Sequence, residues 1–115
     1  MSEINKLTEK IIAFRDAREW KQFHNPKDLA LSLVLEATEV MEHFQWKNHE
    51  EIDEYIKVAK DDIGEELADV LYWVLLISHD LDIDIKSALE KKIDKNEARY
   101  PVDESTGRHT KYNKL

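Results

Sequence analysis

Residues 29–44, LALSLVLEATEVMEHF, and residues 64–77, GEELADVLYWVLLI, decide the fold. In the first, Leu29, Leu33, Val40 and Phe44 recur at helical spacing. Stepping about 100° per residue puts them in one apolar arc, with Glu36 at its edge and Glu39 beside it. In the second, every position from Leu67 to Ile77 is apolar except Asp69. That pattern predicts a helix buried nearly all round, with one carboxylate inside it.

Outward from these stretches the helical period continues. A first helix is expected from Glu3 to about Arg18, with Ile4, Leu7, Ile11, Ile12 and Phe14 near one face. Asn25 as N-cap, Pro26 at the first helical position and Asp28 near the positive dipole end mark the start of a second, running to about Trp46. The charged run from Asn48 to Lys60 reads as a loop or short helix. A third long helix is expected from Asp61 to His79, and a fourth from a cap at Asp82 or Asp84 to Arg99, where Pro101 stops it. Residues 1–101 then form one helical domain, and residues 102–115 a polar tail that could cover a site through Arg108 and Lys111 or simply hang free.

Composition agrees with an all-α reading. The 115 residues hold 2 Gly and 2 Pro, too little turn chemistry for a sandwich or barrel. At this length folding buries roughly 65% of the extended-chain surface, enough for one small core. There is no cysteine, which excludes disulfide frameworks, thiolate catalysis and cysteine zinc sites. The net charge of −8 makes a nucleic-acid polymer or an anionic membrane a poor partner. The first ten residues, MSEINKLTEK, lack the apolar core of a signal peptide, so cytoplasmic residence is the expectation.

Two acidic pairs stand apart from ordinary solvated helix faces. Glu36 and Glu39 are three apart, and Glu66 and Asp69 repeat the spacing. If the two helices pack together, four carboxylates face one volume. Two of them about 5 Å apart repel by on the order of 3 kcal/mol at an effective dielectric near 20. No basic side chain lies in the interior of either helix near them. A hard divalent cation, Mg²⁺ with Mn²⁺ as a substitute, suits an all-oxygen set, against the alternative of a merely tolerated acidic cluster. A di-iron carboxylate centre would want Glu-x-x-His motifs, and none of the five histidines follows a Glu by three.

Glu36-x-x-Glu39 followed by Glu66-x-x-Asp69 resembles the signature of the all-α nucleoside triphosphate pyrophosphohydrolases, the MazG-like group. Glu19–Pro26 (EWKQFHNP), Glu42–Lys47 (EHFQWK) and Arg99-Tyr100-Pro101 resemble the dCTP pyrophosphatase branch, and the likeness runs from Ile12 through Tyr112. It implies cleavage of a (deoxy)nucleoside triphosphate between its α and β phosphates, dependence on Mg²⁺, and a homodimer or homotetramer whose sites involve more than one subunit. It also implies Glu36, Glu39, Glu66 and Asp69 as metal ligands, with Glu36 or Glu39 as a candidate proton acceptor. Lys92, Asn96 and Arg99 form one stripe on the fourth helix and match the branch's phosphate-binding pattern. Trp20, His24 and Trp46 lie just outside the two ends of the second helix, where side chains are free to face a base; the branch uses tryptophans at the positions matching Trp20 and Trp46 for the nucleobase, and Trp73 is a candidate pocket floor. Ile11 stands where the branch is expected to carry a histidine and Trp73 where it carries a tyrosine, so the resemblance speaks for hydrolytic class more than for base. Pyrimidine nucleotides, dCTP foremost, are the expected substrates in nucleotide-pool cleaning. The rivals are a broad or dUTP-directed pyrophosphatase and a non-enzymatic helical oligomer with a structural metal site.

Overall fold

The computed structural model describes residues 2–109, the side chain of Glu104 excepted. Its elements are α1 (Glu3–Ala17), a 3-10 turn (Lys21–Phe23), α2 (Pro26–Glu42), α3 (His49–Asp80), α4 (Ile85–Arg99) and a single-turn α5 (Val102–Ser105). The all-α class and the four long helices are as expected, and no strand occurs among the described residues. No helix among them is long and apolar enough to cross a membrane.

Side chains that cap the helix starts account for most boundaries. Ser2 Oγ accepts from the Asn5 amide at α1, and Asn25 Oδ1 accepts from the Asp28 amide at 2.9 Å ahead of Pro26 at α2. Asp84, not Asp82, caps α4: its carboxylate accepts from the Ser87 amide and hydroxyl, both at 3.1 Å. Two expectations need correction. The run from Asn48 to Lys60 is not a separate loop or short helix but the first part of α3. A reciprocal capping box starts it, with Asn48 Oδ1 accepting from the Glu51 amide and Glu51 Oε1 from the Asn48 amide. The Glu and Lys residues that follow are good helix formers despite their charge. α2 ends at Glu42 rather than Trp46, because turns take over through residues 43–46 and Trp46 adopts φ 67°.

The chain divides into two compact units, residues 1–82 and 83–115. In the first, α2 and α1 pack on α3. α2 and α3 are joined by residues 43–48 and run antiparallel, so that Glu39 meets Glu66 while Glu36 meets Asp69. Leu29, Ala59, Leu75 and Leu76 are its buried hydrophobic residues. The expectation that α3 is buried all round fails in the single chain, where Leu67 is 53% and Leu71 49% exposed. α2 likewise turns outward a stripe of Leu31, Val34, Leu35 and Met41, each more than half exposed. In the second unit α4 has no fully buried residue among those described, Pro101 follows its last turn, and α5 occupies the start of the expected tail. Lys111 lies outside the described residues.

One ion pair ties α1 to the end of α3. Arg15, 1% exposed, donates through both terminal nitrogens to Asp80, at 2.7 and 2.9 Å. The Arg15 hydrogen bond, outweighing burial, holds the Asp80 carboxyl below the usual carboxylate range. Its contribution to stability is therefore present above the unfolded-chain value of about 3.9 and is lost as pH falls through the lower folded value. Asp80→Asn leaves a buried guanidinium without its counter-charge, and we expect a loss of about 3 kcal/mol in urea denaturation at pH 7. A loss under about 0.5 kcal/mol would mean that the pair does not secure α1.

Candidate active site

Helical spacing sets the acidic pairs on facing sides of α2 and α3. Oxygens of Glu36, Glu39 and Glu66 all lie within 4.8 Å of one another. An octahedral Mg²⁺ with bonds of about 2.0–2.1 Å would want such oxygens within about 4.2 Å, so the three glutamates would have to draw together by about half an ångström to enclose one cation. Asp69, the fourth expected ligand, is exposed and outside this triad, though near enough to Glu36 to act on its charge.

The electrostatics are those of crowded like charges. Burial, then Glu39 and Asp69, push the Glu36 carboxyl above its usual range. Glu66 is pushed up to about 7, first by the hydrogen bond that its protonated form makes with Glu39, then by burial and by the charge of Glu39. The decisive feature is that Glu36 Oε2 and Glu66 Oε2 are both buried without a hydrogen-bond partner. Two partnerless buried oxygens in a three-carboxylate cluster fit a hard cation and are costly otherwise.

The approach to the cluster brings in His43, which its spacing from Glu39 makes a candidate ligand or a polar edge residue, and Tyr55. Glu39, Glu42, His43, Tyr55 and Glu66 line one surface depression of about 340 Å³. His43 Nδ1 and the Tyr55 hydroxyl are hydrogen-bonded at 2.5 Å, and the Lys47 ammonium stands 4.3 Å from the Tyr55 ring centre. The i+4 spacing of His43 from Glu39 hinted at this proximity; nothing in the sequence pointed to Tyr55.

The expected aromatic residues are brought together only in part. Trp20 stands edge to face with Phe14, Phe14 with Tyr72, Tyr72 with Trp73, and Trp73 with His24. Trp73 follows Asp69 by one turn on α3, which sets this aromatic row beside the acidic face. Trp46 is in none of these ring contacts and is 91% exposed. It follows the C-terminal end of α2, whereas Trp20 and His24 precede the N-terminal end. The 17 residues between make a helix about 25 Å long. The left-handed backbone at Trp46 is costly for so bulky a residue, and such strain concentrates at functional positions. Lys92, Asn96 and Arg99 fall on one face of α4, as expected, within the second unit.

The MazG-like family model matches residues 31–115. The chain belongs to the MazG-like family. It is 37% identical to dCTP pyrophosphatase 1 of Mus musculus and 33% identical to that of Homo sapiens, in each case over the whole of this chain and 67% of the relative. Among solved structures it is similar to a pyrophosphatase from Archaeoglobus fulgidus, with a TM-score of 0.82 and 35% identity, covering 88% of this chain and 94% of that one. The matches to the dCTP pyrophosphatases take in all four acidic residues and the aromatic row, whereas the family model begins after Phe14, Trp20 and His24.

The site's charge state gives a direct test. Because the folded Glu66 carboxyl titrates near 7, above the unfolded value of about 4.3, its favourable contribution is full at low pH. It is lost as pH rises through 7, unless a cation takes the proton's place. Saturating Mg²⁺ should raise the melting temperature more at pH 8 than at pH 6, and a chelator should reverse the gain. A gain of equal size at both pH values, or one retained in Glu66→Gln, would place the ion elsewhere.

Proposed function

We propose that this chain is a Mg²⁺-dependent nucleoside triphosphate pyrophosphohydrolase, acting on dCTP or a related pyrimidine nucleotide of the cytoplasmic pool. The observation that carries the reading is the pair of partnerless buried oxygens on Glu36 and Glu66. They sit within an acidic cluster of a chain whose full length is similar to dCTP pyrophosphatases.

Glu36, Glu39 and Glu66, with Asp69 at their margin, hold the cation; Mn²⁺ is the expected substitute. When bound, the cation neutralises phosphate oxygens and helps to orient the attacking water. Glu36 or Glu39 accepts the proton that the water loses as its oxygen attacks phosphorus. The α–β bridging bond breaks, and monophosphate and pyrophosphate leave. Lys92, Asn96 and Arg99 are assigned to the phosphates on the resemblance and on their alignment along α4. Trp20, His24 and Trp73 are assigned to the base.

Trp46 and the bare apolar stripes belong to the same reading. A half-exposed row of Leu31, Val34, Leu35, Met41, Leu67 and Leu71 is more than a soluble monomer ordinarily shows. A second copy covering it makes a homodimer or a pair of dimers, and Trp46 of one copy then serves the site of another.

Product analysis tests the activity. Incubation with each (d)NTP and Mg²⁺ should yield monophosphate and pyrophosphate. Glu36→Gln should keep its helical content and lose at least about a hundredfold in kcat. Diphosphate and orthophosphate would mean that a different bond is cut, and no turnover despite metal-dependent stabilisation would favour a structural ion.

Subunit mixing tests the shared site. Glu36→Gln and Trp46→Ala proteins, each weak alone, should regain about a quarter of wild-type activity when refolded together, since half the dimers are mixed and each has one intact site. No recovery would put Trp46 in its own chain's site.

A further inference from the structure

The Arg15–Asp80 pair touches a third group. Arg15 Nη1 lies 3.4 Å from His24 Nδ1, and the Asp80 carboxylate is engaged by both terminal nitrogens of the guanidinium. A guanidinium only donates hydrogen bonds. His24 Nδ1 facing it can therefore only accept, since a proton on that nitrogen would oppose donor to donor and, in the imidazolium, cation to cation. The single ring proton is then on Nε2. Burial, followed by the Arg15 charge, holds His24 below the usual imidazole range against a smaller opposing pull from Asp80. The other titratable groups lining the depression beside the ring are Lys21 and His79.

His24 in turn meets Trp73 edge to face, at 5.9 Å between ring centres and 72° between planes. Trp73 stands one turn beyond Asp69 on α3. The imidazole is thus locked from one side by Arg15 and packed on the other against the aromatic row.

The geometry points to Arg15 as a positioning residue that fixes His24 as a hydrogen-bond donor, and so favours a pyrimidine whose N3 is an unprotonated acceptor, cytosine over uracil. This rests on the reading of the site as a nucleotide pyrophosphohydrolase with His24 at the base. The selection follows from hydrogen-bond polarity. Both pyrimidines accept at O2, but a donor on Nε2 set against N3 meets an acceptor in cytosine and an opposing N–H in uracil. The opposite tautomer would present an acceptor and favour uracil. Arg15 has its charge balanced by Asp80, so this pocket wall suits the uncharged base better than a phosphate.

Two measurements test it. In the wild-type protein, ¹⁵N–¹H correlation of the imidazole nitrogens should show His24 neutral at pH 7 with its proton on Nε2. A proton on Nδ1, or an imidazolium, overturns the proposal without touching the assignment of function. The second uses the double variant Arg15→Met with Asp80→Leu, which exchanges a buried ion pair for apolar contact and need not lose stability. Its kcat/KM ratio for dCTP over dUTP should fall roughly tenfold, through KM rather than kcat, while its melting temperature stays near that of wild type. Arg15→Lys with Asp80 intact keeps a cationic donor and should retain most of the ratio. An unchanged ratio in a folded double variant overturns the proposal. Wild-type protein that hydrolyses neither nucleotide overturns the functional reading beneath it, whatever the tautomer proves to be.

Discussion

Three glutamate carboxylates with oxygens within 4.8 Å of one another set the terms for the rest of this chain. Without a counter-charge, protons must take its place, and a raised Glu66 is what the crowding produces. The antiparallel pairing of α2 with α3 holds the acids there. Leu29 and Leu76, a few turns away at the shared end of the pair, are fully buried and fix the register. A cluster that is costly in the empty protein thus becomes favourable once a cation is bound, which makes metal affinity and folding two sides of one balance.

A second constraint is the shortage of enclosed hydrophobic residues. Leu29, Ala59, Leu75 and Leu76 are the buried hydrophobic residues described, while larger residues on α2 and α3 face outward. On the proposed reading the same surface that completes the core in a second copy also brings Trp46 to that copy's site. Assembly and active site would then share one interface. The strained backbone at Trp46 has a rationale in that arrangement, since the local cost is offset where the ring is used.

Much of this was legible in the sequence, for identifiable reasons. Asn25, Pro26 and Asp28 are a local start signal whose meaning depends on a few neighbouring residues, and α2 begins where they place it. The i, i+3 spacing of the acids fixes their shared face without any tertiary information, so the sequence alone puts Glu36 with Glu39 and Glu66 with Asp69. The start of α3 is not legible from composition, because the charge density between Asn48 and Lys60 suits a solvated loop as well as a helix. The capping box of Asn48 and Glu51 instead lets that run propagate as helix. The apolar run through Leu67 and Leu71 suggested burial all round, but periodicity registers hydrophobicity alone and does not tell a monomer's interior from a surface between copies. Arg15 and Asp80 are 65 residues apart, and each alone looks like an ordinary surface charge. Only the meeting of α1 with the end of α3 makes them a buried pair, and only that meeting turns His24 toward a guanidinium.

The central claim is that the α2–α3 carboxylates form a cation site for a triphosphate. Anomalous diffraction at the manganese edge, from crystals grown with Mn²⁺ and a non-hydrolysable dCTP analogue, tests it most directly. The account predicts manganese density bonded to Glu36, Glu39 and Glu66, with the analogue's phosphates on the same ions. Ordered nucleotide with manganese bound elsewhere, or an acidic cluster that stays free of metal at saturating Mn²⁺, would contradict it.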